Sequence, residues 1–312
     1  MIYNVSIAPI DYVECVGFTT YVYLSNKIVK RDLMKGSERS LGEFLEHFIR
    51  GKLAEFAFKI FLKETLKIET LIDVDLPVFI EGEFLPDILA FKTSEEWNIA
   101  KFWVEIKAVT GGHRWMLVPT TSVTGGKRTQ PRPYCAYVNC HVDLPQDHVA
   151  RLIKYAPEIA KKMSPEWKEK LADIEGVNVS ILGYALYEDI NNILSSSSES
   201  AEILDKVFGP GNWRYLKKRT SFKDLETGKQ YGDFGRDNCV VRLTRLRQDW
   251  DKFATLLKDN KPLAPEEHRD LINFEKQMVK AIDLMSKQPF QSWFARNLNE
   301  QPISSLNKWF KK

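Results

Sequence analysis

The feature that most constrains this chain is one long helix, predicted from Leu41 to Leu66, with a glutamate in the middle of its apolar side. Ser40 followed by Glu43 has the capping-box spacing that starts a helix. Leu41, Phe44, Phe48, Phe58, Leu62 and Leu66 each fall, at 100° per residue, within about 60° of position 55. That position is Glu55. A carboxylate set in an apolar stripe is expensive unless it has a partner. Either Glu55 joins a functional site, or it reaches solvent past Gly51 and Lys52.

Two apolar patterns follow the helix. The first is Phe84-Leu85-Pro86-Asp87-Ile88-Leu89, and the second is Phe102-Trp103-Val104-Glu105-Ile106-Lys107-Ala108. Both read as strands, being short, rich in aromatic and branched residues, and bounded by turn residues. Alternation places Glu105 and Lys107 on one face, with Val104, Ile106 and Ala108 on the other. Asp87, on the neighbouring strand, supplies a second carboxylate. Two facing carboxylates repel unless a cation lies between them, and a hard divalent ion such as Mg2+ prefers oxygen ligands. Other acid-x-Lys triplets occur at Glu166-Trp167-Lys168 and Asp259-Asn260-Lys261, but in a charged helical stretch and a Pro-flanked loop.

With Pro86-Asp87 and Glu105-Ile106-Lys107, the chain resembles the PD-(D/E)xK nuclease superfamily, and within it a Type II restriction endonuclease. The resemblance covers about the first two thirds of the chain. It implies that Asp87, Glu105 and the carbonyl of Ile106 bind Mg2+. It also implies that Lys107 holds and helps deprotonate the attacking water, or stabilises charge on the phosphate, and that Glu55 joins the site directly or through water. The implied reaction is sequence-specific cleavage of double-stranded DNA that leaves 5′-phosphates. Cutting both strands of a symmetric site favours a two-fold homodimer. Two alternatives stay open: a repair, recombination or phage DNA-processing nuclease of the same superfamily, and a DNA-binding protein without catalysis.

The order of elements suits that reading. The helix precedes three strands at 72–80, 84–91 and 99–109, expected as an antiparallel meander. A long segment, 110–133, carries His113, Arg114, Lys127, Arg128, Gln130 and Arg132 directly beyond Lys107, and long loops are usually functional or disordered. Arg114, Lys127, Arg128 and Arg132 are candidates to read guanine or hold phosphate, and Gln130 to read adenine. A fourth strand at 134–142, a helix at 147–162 and a fifth strand at 177–186 read as a parallel crossover. The expected fold is therefore α/β, a five-stranded mixed central sheet flanked by helices.

The expected organisation is an N-terminal extension over 1–40, a catalytic core over 41–194 and a mostly helical C-terminal part over 195–312 that contacts DNA, dimerises or does both. The serine run at 195–200 reads as an exposed boundary loop. Beyond it a short helix at 202–208, a strand at 238–246 and helices at 248–258 and 265–286 are predicted, then an aromatic, basic segment at 290–310 suited to packing or a subunit contact. Residues 1–40 read as irregular or short-strand structure.

Net charge is only +3, so overall charge announces no polyanionic partner. Locally, 212–247 holds ten Lys or Arg against four Asp or Glu, an excess that can meet phosphates or simply face solvent. The four cysteines have no framework spacing, which fits a reducing, cytoplasmic setting. Cys135 and Cys140 point to opposite faces of a strand, which argues against a shared zinc with His141. No run approaches the ~20 apolar residues of a membrane span, and no signal peptide is evident at the N-terminus.

Overall fold

A computed structural model describes residues 2–24, 40–76, 78–82, 85–93, 95–125, 130–145, 148–151, 164–166, 176–224, 226–232, 234–263 and 268–287. The chain is α/β with mixed sheets, and its strands divide among several small sheets instead of one five-stranded sheet. It opens with strand β1 (Tyr3–Ile7), in keeping with the short-strand structure expected there, and helix α1 (Pro9–Leu24), which the sequence does not predict. Pro9 at the first helical position and Asp11 in the first turn suit a helix start. The valines, threonines and tyrosines beyond them are weak helix formers, and burial against α2 overrides that preference.

Helix α2 (Leu41–Leu66) has the predicted bounds, and its Ser40–Glu43 capping box is formed. Leu41 is exposed, but from Ile49 to Leu62 the helix is buried nearly all round. It lies between α1 and the sheet.

The segment after α2 departs most from expectation. Only β2 (Thr70–Leu71) is a strand, and Asp73–Asp75 form a 3-10 turn in place of the predicted strand at 72–80. The aspartates are the cause. Asp75 accepts from the Ile72 N–H at 2.9 Å, which closes the turn. Asp73 and Asp75 then grip Lys52 and Lys59, seven residues apart on one side of α2, at 2.7 and 2.5 Å. Strand β3 (Ala90–Thr93) begins after Asp87, so Asp87 lies on a bend and not on the strand predicted at 84–91. The predicted strand at 99–109 divides into β4 (Glu96–Ile99) and β5 (Trp103–Val109), which lie in different sheets. The meander exists as β2-β3-β4, without β5.

Strand β6 (Trp115–Pro119) and a helical turn at Thr121–Thr124 give the predicted long loop a folded interior. Strands β7 (Tyr134–Asp143) and β8 (Val177–Leu186) stand where expected. Their pairing is antiparallel, so the parallel crossover predicted between them is absent; the parallel pair is β5 with β7. The helix predicted at 147–162 lies outside the described residues except for the helical turn at His148–Arg151. The four-stranded sheet runs β1-β8-β7-β5, with β5 at its edge.

Among the described residues, the C-terminal third mixes helices and strands. The 195–200 serines sit where helix α3 (Tyr187–Ser195) passes into helix α4 (Ser198–Phe208), and Ser197 caps α4 by accepting from the Ser200 N–H. Strands β9 (Trp213–Leu216) and β12 (Asn238–Arg242) flank a two-stranded ribbon, β10 (Ser221–Lys223) and β11 (Gln230–Gly232), and β12 joins β6 and β9 in one antiparallel sheet. Helices α5 (Trp250–Asp259) and α6 (Arg269–Lys287) follow, and the segment predicted at 290–310 lies outside the described residues.

The main sheet separates two cores. On one face α1, α2 and α5 pack on Val104, Ile106, Val138 and Ile181. On the other, α3, α4, α6 and the β6-β12-β9 sheet pack on Trp103, Tyr137 and Ala185. Asn260 fixes the approach to β5. Its Oδ1 accepts from the Lys101 and Phe102 amides at 2.6 and 3.0 Å, and its Nδ2 donates to the Ile99 carbonyl at 2.9 Å.

Candidate active site

The alternation of β5 gives the predicted arrangement: Val104 and Ile106 are buried in the α2 core, while Glu105 and Lys107 are partly exposed and joined by an ion pair. Asp87 reaches the same strand from outside the ladder. Its N–H donates to the Val104 carbonyl at 2.9 Å, and its Oδ2 accepts from the Ile106 N–H at 2.5 Å. Within one strand residue the N–H and C=O point to the same edge, so the Ile106 carbonyl also faces Asp87, away from β7. Asp87, Glu105, Lys107 and the Ile106 carbonyl therefore meet at the outer edge of β5.

Electrostatics tie these groups together. Burial first, and then the charge of Glu105, push the Asp87 carboxyl up to about 7, against the opposing pull of Lys52. Burial also acts to raise Glu105, but the Lys107 ammonium, the nearby Tyr134 hydroxyl and the Arg132 guanidinium together outweigh it, so Glu105 is held below its ordinary value. Tyr134 is pushed up by burial and by the charges of Glu105 and Asp87, and its hydroxyl donates to the Leu85 carbonyl at 3.1 Å.

Glu55 belongs to a second ionic group that meets the first at Asp87. Lys52 turns inward and donates to both Glu55 oxygens at 2.9 and 2.7 Å and to Asp73 at 2.7 Å, so Glu55 does not reach solvent past it. Lys52 is 7% exposed and Glu55 6%. The ammonium also lies 5.7 Å from the Phe18 ring centre and 5.4 Å from that of Phe48. Burial would lower Lys52, but Asp73, Glu55 and Asp87 hold it well above the ordinary lysine range. Glu55 is raised by burial in spite of Lys52, with Asp87 and Asp73 adding to the rise.

Lys52, Asp73 and Tyr134 were not among the predicted site residues. A signal for the first two exists: Asp73 and Asp75 match Lys52 and Lys59, two turns apart on α2. Of the predicted DNA contacts, Arg132 acts on Glu105, whereas Arg114 pairs with Glu226 at 3.3 Å and lies farther along the chain. Gln130 is exposed. Lys127 and Arg128 lie outside the described residues. In the basic 212–247 segment, Arg247 makes a two-pronged contact with Asp189, Arg214 stacks on Trp115 and Phe222, and Arg242 binds Glu226.

Among the described residues, no group of three or more His, Cys, Asp or Glu side chains gathers closely enough to hold a metal ion. The donors at β5 are two carboxylates and one carbonyl. That set suits Mg2+, which takes one or two carboxylates and fills its other positions with water and phosphate. The upward push of Glu105 on Asp87 is the repulsion such an ion relieves. Cys135 and Cys140 are both buried and unbridged. No helix among the described residues is long and apolar enough to cross a membrane. Compared with known proteins, the chain matches no family model, no curated protein and no solved structure.

Proposed function

We propose that the protein is a Mg2+-dependent endonuclease of the PD-(D/E)xK kind that cuts double-stranded DNA at specific sequences, as a Type II restriction enzyme does. The observation that carries this reading is the docking of Asp87 on the edge of β5 beside Glu105 and Lys107, through the Val104 carbonyl and the Ile106 amide. Two carboxylates, a carbonyl and an ammonium then face one place from a rigid strand.

When bound, Mg2+ supplies Lewis-acid polarisation of the scissile phosphate and a lower pKa for a coordinated water. Asp87, Glu105 and the Ile106 carbonyl are the groups that would hold it. Asp87 is positioned by two hydrogen bonds to β5, so its carboxylate needs little reordering. Lys107 holds its ammonium beside Glu105, where it can orient a water or stabilise charge on the phosphate. Lys52 and Glu55 act from the far side of Asp87 and set its local field. Attack in line on phosphorus releases the 3′-oxygen and leaves a 5′-phosphate. A two-fold homodimer would bring two such sites to a symmetric sequence.

Incubation with phage DNA and Mg2+ tests the reading. Discrete fragments are expected. A smear or structure-dependent cutting would favour a repair or processing nuclease, and intact DNA with retained binding would favour a non-catalytic DNA-binding protein.

A further inference from the structure

The ribbon β10–β11 has one face committed to the protein and one that is not. Inward, Phe222 and Tyr231 pair across the ribbon and stack with ring centres 5.5 Å apart, and Phe222 meets Trp115 edge-on at 5.1 Å. A Cβ at Gly232 would collide with the backbone of Ser221 opposite, so the strands approach this closely only because that residue is glycine. Outward, Ser221, Lys223 and Gln230 are exposed, and the Gln230 amide donates to the Ser221 hydroxyl at 2.7 Å. Each of these three outer side chains can hydrogen-bond, and among the described residues none covers them.

Cations flank that face at one end. Lys217, Lys218 and Arg219 are exposed in the turn before β10. At the other end the Lys229 ammonium turns inward, over the Tyr231 ring at 5.3 Å. The described acids nearby are already engaged. Asp224 accepts from the Trp115 indole at 2.9 Å, Asp237 from Tyr215 at 2.5 Å and from the Lys218 N–H at 2.7 Å, and Glu226 pairs with Arg114 and Arg242. The three cations of that turn are exposed, with Asp237 countering part of the charge of Lys217 and Lys218.

The ribbon also adjoins the candidate site. The Tyr231 hydroxyl donates to the Gly112 carbonyl at 3.3 Å, in the loop that leaves β5 shortly after Lys107. His113 in that loop is lowered by burial and then by the charges of Lys229 and Arg50, a sign that cations converge there.

Resting on the nuclease reading, we infer that β10–β11 is a docking arm for double-stranded DNA. Its outer face enters the major groove, and the basic turn before β10 holds phosphates beside it. The major groove of B-form DNA admits a two-stranded ribbon, and side chains such as Lys and Gln can pair there with base edges. Phosphates take the turn lysines and Arg219 by charge alone.

Binding to a random-sequence DNA duplex, measured by fluorescence anisotropy in chelator across a salt series, tests the arm without requiring cleavage. A Lys217→Gln/Lys218→Gln/Arg219→Asn variant should lower the salt slope by about three, close to one per cation removed. Asparagine is chosen because Arg219 has a left-handed backbone (φ 61°). Lys276→Gln/Lys280→Gln on the outer side of α6 should leave the slope unchanged. Duplex RNA should bind more weakly than duplex DNA, because its major groove is too narrow for a ribbon. An unchanged slope in the ribbon variant, an equal loss in the α6 variant, or equal affinity for the two duplexes would overturn the inference. If the parent still cuts DNA in those cases, the nuclease reading stands alone. A parent that does not bind DNA removes both.

Discussion

Lys52 donates to both carboxylate oxygens of Glu55 from one turn earlier on the same helix, and the pair is buried. Removing one partner of a buried pair leaves the other charge stranded. Lys52→Met should cost about 3–5 kcal/mol of stability, measured by chemical denaturation. A loss under ~1 kcal/mol, the usual worth of an exposed pair, would contradict the burial of this cluster.

Asp87→Asn and Glu105→Gln keep shape and remove charge. Each should fold, bind DNA and fail to cut, and in chelator each should bind DNA as tightly as the parent or more so, since repulsion of phosphate is relieved. Lys107→Ala should also be inactive, with weaker or unchanged binding. Glu55→Gln should be milder, because its oxygens serve Lys52. The paired measurement is a melting curve and a plasmid cleavage assay on the same proteins. Near-parental cutting by Asp87→Asn or Glu105→Gln would sink the site assignment.

Cleavage should require a divalent cation. Excess chelator should abolish it. Calcium should permit binding with little cutting, because its larger and looser coordination places water less well. Full activity in chelator would rule out the proposed chemistry.

Asp87 gives the stability a pH dependence of known sign. Its ordinary value is 3.8, and the fold pushes it to about 7. As pH rises, the unfolded chain ionises at this residue first, so it gains on the folded state through that interval. The penalty is absent below the ordinary value and complete above the folded one. The melting temperature of Asp87→Asn relative to the parent should therefore climb between pH 3.8 and about 7 and then level off. A difference that stays flat across that range would contradict the burial and the Glu105 charge named as its causes.

Arg132 and Arg114 should behave differently. Arg132 acts on Glu105, while the half-exposed Arg114 pairs with Glu226 at 3.3 Å. Arg132→Ala should reduce cleavage more than Arg114→Ala. A true base reader should lose about 1–3 kcal/mol of discrimination at one base pair. Equal loss of cleavage in both variants would show that distance from Glu105 does not matter.

The parts legible in the sequence were those set by local pattern. The capped helix α2, the face shared by Glu105 and Lys107, and the strands β7 and β8 follow from periodicity and end signals within each segment. What local pattern did not hold was partnership. A helix between two strands suits a parallel crossover, yet β7 and β8 pair antiparallel and β5 supplies the parallel edge. Val74 and Leu76 alternate with aspartates as a strand would, but those aspartates serve lysines on a different element. The partner of Glu55 stayed hidden because Lys52 is drawn inward by Asp73, which lies on the segment after the helix.

The inward-turned lysine and its two acids also bear on how this protein would respond to selection. Well-packed apolar residues in place of a buried ionic cluster often leave a fold as stable, or more so. Evolution for heat resistance alone would therefore drift toward filling positions 52, 55 and 73 with aliphatic side chains. The products would be sturdy and idle, because the Lys52 charge that counters Glu105 at Asp87 would be gone. Any screen of this chain should score melting temperature and cleavage together, since at these three positions the two pull in opposite directions.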